Sequence, residues 1–176
     1  MSELSSRIKE CRKTGGTFLD LSRLKIDSLD CVVEFKGLQE LDCSETNVSD
    51  LTPLVGLARL NTLYCYETHI KDLTPLTGLT RLQWLDCYST DVSDLTPLSK
   101  LTRLQKLDCS DTKVKDLTPL ARLTQLEWIY CYFTQVSDLT PLAALTQLWR
   151  LDCSNTQVSD FSPIQHLIDT GLTVYK

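Results

Sequence analysis

Apolar residues recur along most of the chain in one arrangement that repeats every 22 residues. In the fourth unit they are Leu82, Leu85, Cys87, Val92, Leu95, Leu98 and Leu101. The spacing of two at the start of the unit predicts a short β-strand, and the later spacing of three predicts a 3₁₀ turn or a single helical turn. A fixed period of this length is typical of a solenoid, in which each repeat buries its apolar face against its neighbours.

The period divides the chain into three parts. Residues 1–15 precede the first repeat, and apolar residues at helical spacing within them predict an N-terminal helical cap. Seven 22-residue repeats span 16–169, and 170–176 predict a terminal strand that arrives one residue early in the period. No cap follows that strand, so the chain is expected to be either a complete small protein or the front of a larger one.

All six prolines occupy the sixteenth position of a repeat, directly after Thr or Ser. We predict that the hydroxyl caps the turn while Pro sits at its first position, where a missing N–H costs nothing. An aspartate three residues before each proline is predicted to accept turn N–H groups in the same way. These aspartates are Asp50, Asp72, Asp94, Asp116, Asp138 and Asp160.

These repeats resemble the leucine-rich repeat family, specifically the 22-residue class found in internalins and in a phosphatase-regulating relative. The resemblance covers the chain from Gly16 to about Asp169. It implies an α/β solenoid, right-handed and curved, with a parallel β-sheet on the concave side and short 3₁₀ turns on the convex side. The family commonly has asparagine at the ninth position. Here threonines stand instead, and their hydroxyls are expected to bond backbone groups: Thr46, Thr68, Thr90, Thr112, Thr134 and Thr156.

Six of the eight cysteines fall at the sixth position of successive repeats: Cys43, Cys65, Cys87, Cys109, Cys131 and Cys153. Neighbouring strands lie about 4.8 Å apart, which is poorly suited to the Cβ separation of about 3.8 Å that a disulfide prefers. A one-dimensional row also does not converge on a tetrahedral metal ion. We predict buried, reduced thiols, no metal and no cofactor, and therefore a cytoplasmic location.

The other features of the sequence do not favour catalytic activity, nucleic-acid binding or insertion into a membrane. The net charge is −5 and the basic residues do not cluster strongly, so nucleic acid is not expected as a partner. No apolar run is long enough to cross a bilayer, and the first residues lack a secretory h-region. His69 and His166 lie four repeats apart, and an open sheet is expected to offer little desolvation that would shift a pKa. The chain is predicted not to be an enzyme.

The third, fifth and seventh positions of each repeat are predicted to point outward from the sheet, and the residues there vary. All three tryptophans and all six tyrosines lie on or beside the predicted sheet. Exposed aromatic residues on one face are typical of a protein-binding surface; alternatively, they are simply good strand residues that pair across the sheet. The predicted partner-binding residues are Tyr64, Tyr66, Glu67, Trp84, Asp86, Tyr88, Asp108, Trp128, Tyr130, Tyr132, Phe133, Trp149, Arg150 and Asp152.

Acidic residues at the fifth position are predicted to be neighbours in adjacent strands, as with Asp86 and Asp108. Two charges about 5 Å apart repel by roughly 1 to 3 kcal/mol, depending on screening, so the pairing does not help folding. It predicts a face that receives Lys or Arg from a partner. The alternative is that solvent and nearby Lys106 or Arg150 relieve the repulsion.

We interpret the sequence as a non-catalytic protein–protein interaction module whose partner has a basic surface. An inhibitor or immunity-type protein that masks a basic toxin or enzyme fits this interpretation. The alternatives are a recognition or scaffold arm of a larger multidomain assembly, and an engineered consensus scaffold, against which the variation on one face argues. Self-association through the aromatic sheet also stays open.

Overall fold

A computed structural model describes residues 2–176. In this range, eight strands form one parallel sheet whose spatial order follows the order of the chain. The strands are β1 Phe18–Asp20, β2 Glu40–Asp42, β3 Thr62–Tyr64, β4 Trp84–Asp86, β5 Lys106–Asp108, β6 Trp128–Tyr130, β7 Arg150–Asp152 and β8 Thr173–Tyr175. Helix α1, Glu3–Lys13, packs against β1, and a short helix α2, Gln165–Asp169, precedes β8.

Each repeat returns through a 3₁₀ helix on the side of the core opposite the sheet. These helices are Asp30–Val32, Thr52–Leu54, Thr74–Leu76, Thr96–Leu98, Thr118–Leu120, Thr140–Leu142 and Ser162–Ile164. Leucines from the strands and from the 3₁₀ helices fill the space between, and nearly all of them are completely buried. The predicted α/β solenoid with a parallel sheet, 3₁₀ turns and a helical cap is confirmed.

Equivalent positions of neighbouring repeats are in register, so the buried leucines stack on one another. Leu85 pairs with Leu107, and Asp86 pairs with Asp108. The last pair differs, because Val174 in β8 lies opposite Leu151. The terminal strand therefore arrives one residue late in the period, and the prediction that it arrives early is wrong. The additional turn of α2 between the last 3₁₀ helix and β8 accounts for the extra residue.

The aspartates before the prolines cap the 3₁₀ helices. Asp94 Oδ1 accepts a hydrogen bond from the Thr96 backbone N–H at 2.8 Å, and hydrogen bonding to Thr96 lowers the pKa of Asp94. The residue at the N-cap itself is a leucine, Leu95, and no hydroxyl caps the turn. The prediction for aspartate is thus confirmed and the one for the Thr hydroxyl is wrong, because Thr96 already lies inside the helix.

A tight turn follows most strands, and its eighth-position residue has a left-handed backbone. These residues are Arg23, Glu45, Glu67, Ser89, Asp111, Phe133 and Asn155, with φ between 50° and 61°. The next residue in most repeats is threonine, whose hydroxyl closes the turn; Thr112 Oγ1 donates to the Cys109 carbonyl at 2.6 Å. The hydroxyl bonds a backbone group of its own repeat, as the sequence predicts.

Replacing Thr112 with valine is expected to lower the free energy of unfolding by about 1 to 2 kcal/mol. Valine keeps the shape of the side chain but leaves the buried Cys109 carbonyl without this donor. Urea denaturation measures the change. Thr112→Ser, which retains the hydroxyl and loses only the methyl group, serves as the control; a Thr112→Val variant as stable as wild type would show that the hydrogen bond does not stabilise the turn.

All eight cysteines are free thiols. The six in the stacked row are buried, and five of them donate to a carbonyl of the next strand, as Cys87 Sγ does to the Asp108 carbonyl at 3.2 Å. Burial raises the pKa of the Cys43 thiol to about 12. Since the thiolate is the reactive form, the row is chemically protected.

Iodoacetamide is expected to modify Cys31 in the native protein before any cysteine of the row. Cys31 is only partly buried, whereas the row reacts only on unfolding. Mass spectrometry of tryptic peptides over time checks this order. Early modification of Cys87 or Cys109 under native conditions would contradict the packing described here.

Candidate functional site

The outward side of β2–β8, together with the turn residues that follow each strand, is called here the sheet face. All fourteen predicted partner-binding residues lie on the sheet face or at its margin. Eleven of them are half-buried. The other three are exposed: Glu67, Phe133 and Trp149. Phe133 is 58% exposed and Trp149 is 46% exposed, which makes them the most exposed aromatic side chains among the fourteen.

The third positions of the strands build a row of alternating rings and cations. At the start of this row, Tyr64 from the fifth position of the preceding strand meets the Trp84 ring edge to face, with centroids 5.2 Å apart. Lys106 Nζ lies between two tryptophans, 4.6 Å from the centroid of Trp84 and 4.1 Å from that of Trp128. Such cation–π contacts stabilise by about 0.5 to 1 kcal/mol each at exposed sites. Part of the aromatic surface is therefore used by the protein itself.

A second cation is held in the same way at the end of the sheet. The Arg150 guanidinium lies 5.6 Å from the Tyr130 ring centroid and 5.0 Å from that of Tyr175. Among residues 2–176, neither Arg150 nor Lys106 forms an ion pair with a carboxylate. Neither cation therefore pairs with Asp86 or Asp108, and both lie instead against the flanking rings.

Fifth-position aspartates have a structural role. Asp86 Oδ1 accepts a hydrogen bond from the Tyr88 backbone N–H at 3.1 Å, and Asp108 Oδ1 accepts one from the Ser110 N–H at 2.9 Å. Asp152 does the same for the Ser154 N–H at 3.0 Å. Each bond satisfies a backbone donor where the strand ends. The aspartates thus stabilise the ends of the strands, although the pairing of their like charges is not expected to help folding.

The electrostatic cost of this arrangement is concentrated at Asp86 and Asp108, which face each other in adjacent strands. Desolvation raises the pKa of Asp86 to about 6, and burial also raises the pKa of Asp108. The open sheet was expected to leave pKa values unshifted. The tyrosines explain the difference, because they lie beside the carboxylates and exclude water.

Tyr88 and Tyr132 belong to repeats two apart, yet their ring centroids are 6.0 Å from each other. Ser110, in the repeat between them, is completely buried although its position is predicted to point into solvent. Its Oγ has no hydrogen-bond partner among the described residues. Burial, with the nearby Asp108 second, raises the pKa of Tyr132 to about 12. The two tyrosine rings therefore meet across the repeat that contains Ser110 and Asp108.

Replacing Asp86 with asparagine is expected to raise the free energy of unfolding by about 1 kcal/mol at neutral pH. The pKa of Asp86 is about 6 in the folded protein, above the value of about 3.9 for an unfolded aspartate. The folded state therefore binds more protons between about pH 4 and pH 6, and stability falls as pH rises through that window. Asparagine removes this fall and retains an oxygen for the Tyr88 N–H.

Urea denaturation at several pH values measures this effect. The control is Asp94→Asn, because the pKa of Asp94 is lowered by hydrogen bonding and its carboxylate stabilises the fold above about pH 4. No gain at neutral pH is expected there. Identical pH profiles for wild type and Asp86→Asn would contradict the desolvation of Asp86.

The family model for leucine-rich repeats, in two copies, matches residues 36–78 and 80–122. Both copies lie within the run of stacked strands and 3₁₀ helices. The chain is a leucine-rich repeat protein. A search of curated protein sequences found no match.

Solved structures of leucine-rich repeat proteins are similar along nearly the whole chain. Internalin C2 from Listeria monocytogenes is 26% identical, with a TM-score of 0.78 over 97% of this chain and 91% of that one. An internalin, InlF, from the same organism is 25% identical, with a TM-score of 0.76 over 99% of this chain. This leucine-rich repeat chain spans 62% of the InlF chain.

A third structure shows the fold in a complex. It is the leucine-rich repeat ectodomain of the Arabidopsis thaliana membrane receptor kinase GASSHO1/SCHENGEN3 with CASPARIAN STRIP INTEGRITY FACTOR 2. It is 20% identical, with a TM-score of 0.67 over 78% of this chain and 18% of that one. Leucine-rich repeat folds commonly mediate protein–protein interaction and are generally non-catalytic. Within residues 2–176, no helix is both long and apolar enough to cross a membrane.

Proposed function

We propose that this leucine-rich repeat protein is a non-catalytic binding module that holds a protein partner on its sheet face. The support comes from two kinds of side chain found together on that face. One is a pair of carboxylates that lacks a cation, and the other is a group of exposed rings. A rigid solenoid presents both without a large loss of entropy on binding.

The carboxylates of Asp86 and Asp108, which no cation among the described residues neutralises, support the proposal that the partner has a basic surface. Asp86 and Asp108 are largely desolvated, lie opposite each other and have no ion-pair partner among residues 2–176. A Lys or Arg side chain from a partner would offset their repulsion and form charge-assisted hydrogen bonds. Exposed Glu67 at the margin adds to the negative potential.

The exposed rings supply the apolar part of the contact. Phe133 packs against Tyr132 with centroids 5.9 Å apart, and Trp149 packs edge to face on Trp128 at 5.2 Å. Each exposed ring is thus braced by a half-buried one, which limits the rotamer entropy lost on binding. Rigid aromatic anchors of this kind are typical of binding hot spots.

An inhibitor or immunity-type protein that masks a basic toxin or enzyme is the role that this surface fits best. We place it in the cytoplasm, because all eight thiols are free and such thiols persist in a reducing compartment. The second candidate is a recognition arm of a larger assembly, which is favoured by the greater length of the InlF chain and of the receptor ectodomain.

The test is capture of a partner from native cytosol by the tagged chain and by two variants. Phe133→Asn with Trp149→Gln removes both exposed rings, and each substitution copies a residue that another repeat has at the same position, Asn155 and Gln105 respectively. Val55→Thr on the 3₁₀ side copies Thr77 and is the matched control. A protein retained by wild type and by the control, and lost by the double variant, is expected; equal retention by all three would end the sheet-face proposal.

A pH titration of the same complex tests the proposed role of the carboxylates. A partner cation favours ionised Asp86, whose pKa is about 6 in the free protein, so binding is expected to tighten as pH rises from 5 to 7. Calorimetry in buffers of different ionisation enthalpy would show proton release on binding. If the affinity for the partner is independent of pH over this range, the partner does not place a cation against Asp86.

A further inference from the structure

Three arginines at the last position of successive repeats line one shallow concavity beside the amino ends of the strands. They are Arg59, Arg81 and Arg103, called here the arginine flank, and the concavity has a volume of about 260 Å³. Neutral amide side chains of Gln39, Asn61 and Gln83 complete its lining. The sequence-based expectation that basic residues do not cluster is wrong here, because the 22-residue period stacks residues that are far apart in the sequence.

The backbone beneath the arginine flank is in register. Asn61 N–H donates to the Gln39 carbonyl at 2.7 Å, and Gln83 N–H donates to the Asn61 carbonyl at 2.8 Å. The three arginines therefore repeat at the strand spacing of about 4.8 Å, so the row is about 10 Å long. Guanidinium groups at this spacing repel one another unless anions lie between them.

No anion of the protein neutralises this row. All three arginines are exposed, and none of them forms an ion pair within residues 2–176. The aspartates that cap the 3₁₀ helices follow the strand in each repeat, whereas the arginines precede it. The chain thus carries a net charge of −5 and a separate positive patch.

The ends of the row limit the size of its ligand. The equivalent positions in the next two repeats are Gln125 and Gln147, and the adjoining concavity is lined by Glu127. On the other side the equivalent residue is Gly37. A long polyanion would extend beyond the three arginines, over Glu127 and other parts of a protein whose net charge is negative, and would be repelled there. A short anionic segment would contact the three arginines alone.

We propose that the arginine flank binds a short acidic peptide segment of a protein, with carboxylate or phosphorylated side chains. Arginine favours such groups because its planar fork donates two parallel hydrogen bonds to a carboxylate or a phosphate. The side-chain amides of Gln39, Asn61 and Gln83 provide further donors for the same oxygens. This surface is distinct from the sheet face and does not depend on the partner proposed for it.

Fluorescence anisotropy of a labelled Glu-rich peptide, at low salt and at physiological salt, tests the proposal. The loss variant is Arg59→Gln, Arg81→Gln, Arg103→Gln, which copies the glutamine that later repeats have at this position and so is compatible with the fold. Its affinity for the peptide is expected to fall by about tenfold or more. Gln125→Arg, which lengthens the row, is expected to strengthen binding, and the Phe133→Asn, Trp149→Gln variant is expected to bind like wild type.

Three results would overturn the proposal. Equal peptide affinity in wild type and the triple glutamine variant would show that the row is only a solvated surface. Single-stranded DNA of equal charge that binds as tightly, with the same dependence on the arginines, would assign the row to nucleic acid. Salt-sensitive self-association in sedimentation experiments, abolished by the triple variant, would assign it to the acidic row of a second copy.

Discussion

Replacing Leu107 with alanine is expected to lower the free energy of unfolding by about 3 to 4 kcal/mol. Leu107 lies at the centre of β5, is 1% exposed, and stacks between Leu85 and Ile129 in the neighbouring strands. Truncation leaves a cavity that the strands cannot close without losing their register. Because each repeat of a solenoid contacts only its neighbours, the damage also weakens the coupling between the two halves.

Urea denaturation followed by circular dichroism measures this loss, and hydrogen exchange locates it. Val55→Ala is the control, since Val55 is 59% exposed and its truncation is expected to cost less than about 0.5 kcal/mol. A loss below about 1 kcal/mol for Leu107→Ala would mean that the repeats do not share the continuous core described here.

Replacing Trp128 with alanine is expected to cost about 2 kcal/mol of stability in addition to any effect on binding. Trp128 is half-buried and contacts Lys106, Tyr130 and Trp149 at once. Aromatic pairs and cation–π contacts contribute about 0.5 to 1.5 kcal/mol each, and the partial exposure of the ring keeps the sum below the cost of a core truncation.

Trp149→Gln is the matched control for this second prediction. Trp149 forms only one of these ring contacts and is 46% exposed, so its loss is expected to cost about 0.5 to 1 kcal/mol, at most half the cost of Trp128→Ala. Thermal denaturation of both variants decides the comparison. Equal stability of Trp128→Ala and wild type would show that the row of rings and cations is loose, and that Trp128 is free to act mainly as a partner anchor.

The fold could be predicted from the sequence because one 22-residue period sets the positions of the strands, the turns and the 3₁₀ helices. Apolar residues at fixed positions, prolines at the sixteenth position and aspartates three residues before them are repeated often enough to specify strand, turn and register together. The last strand is predicted two residues before its observed register, because the sequence of α2 contains no proline or glycine that marks where the extra turn is inserted. The hydroxyl cap was misassigned because Thr–Pro patterns do not show on which side of Thr the helix begins.

The placement of the candidate residues on one face of the sheet could be predicted from the sequence, but their contacts could not. Alternation along a strand places Trp84, Asp86 and Lys106 on one face, and the observed strands have that alternation. Which neighbour a long side chain contacts depends on the distances between the aromatic rings in the folded protein. Lys106 lies over two tryptophans and away from the aspartates, and Tyr88 reaches past Ser110 to Tyr132. The sequence pattern does not encode these choices, although the arginine flank could have been found from its period.

The central claim is that a protein partner lies on the sheet face. Hydroxyl-radical footprinting of the chain, with and without the purified partner obtained by capture, tests this most directly because it reports side-chain exposure. The account predicts that oxidation of Phe133 and Trp149 falls severalfold on binding while oxidation of Val33 and Val55, exposed on the 3₁₀ side, is unchanged. Protection of Val33 and Val55, with Phe133 and Trp149 still oxidised as in the free protein, would contradict it.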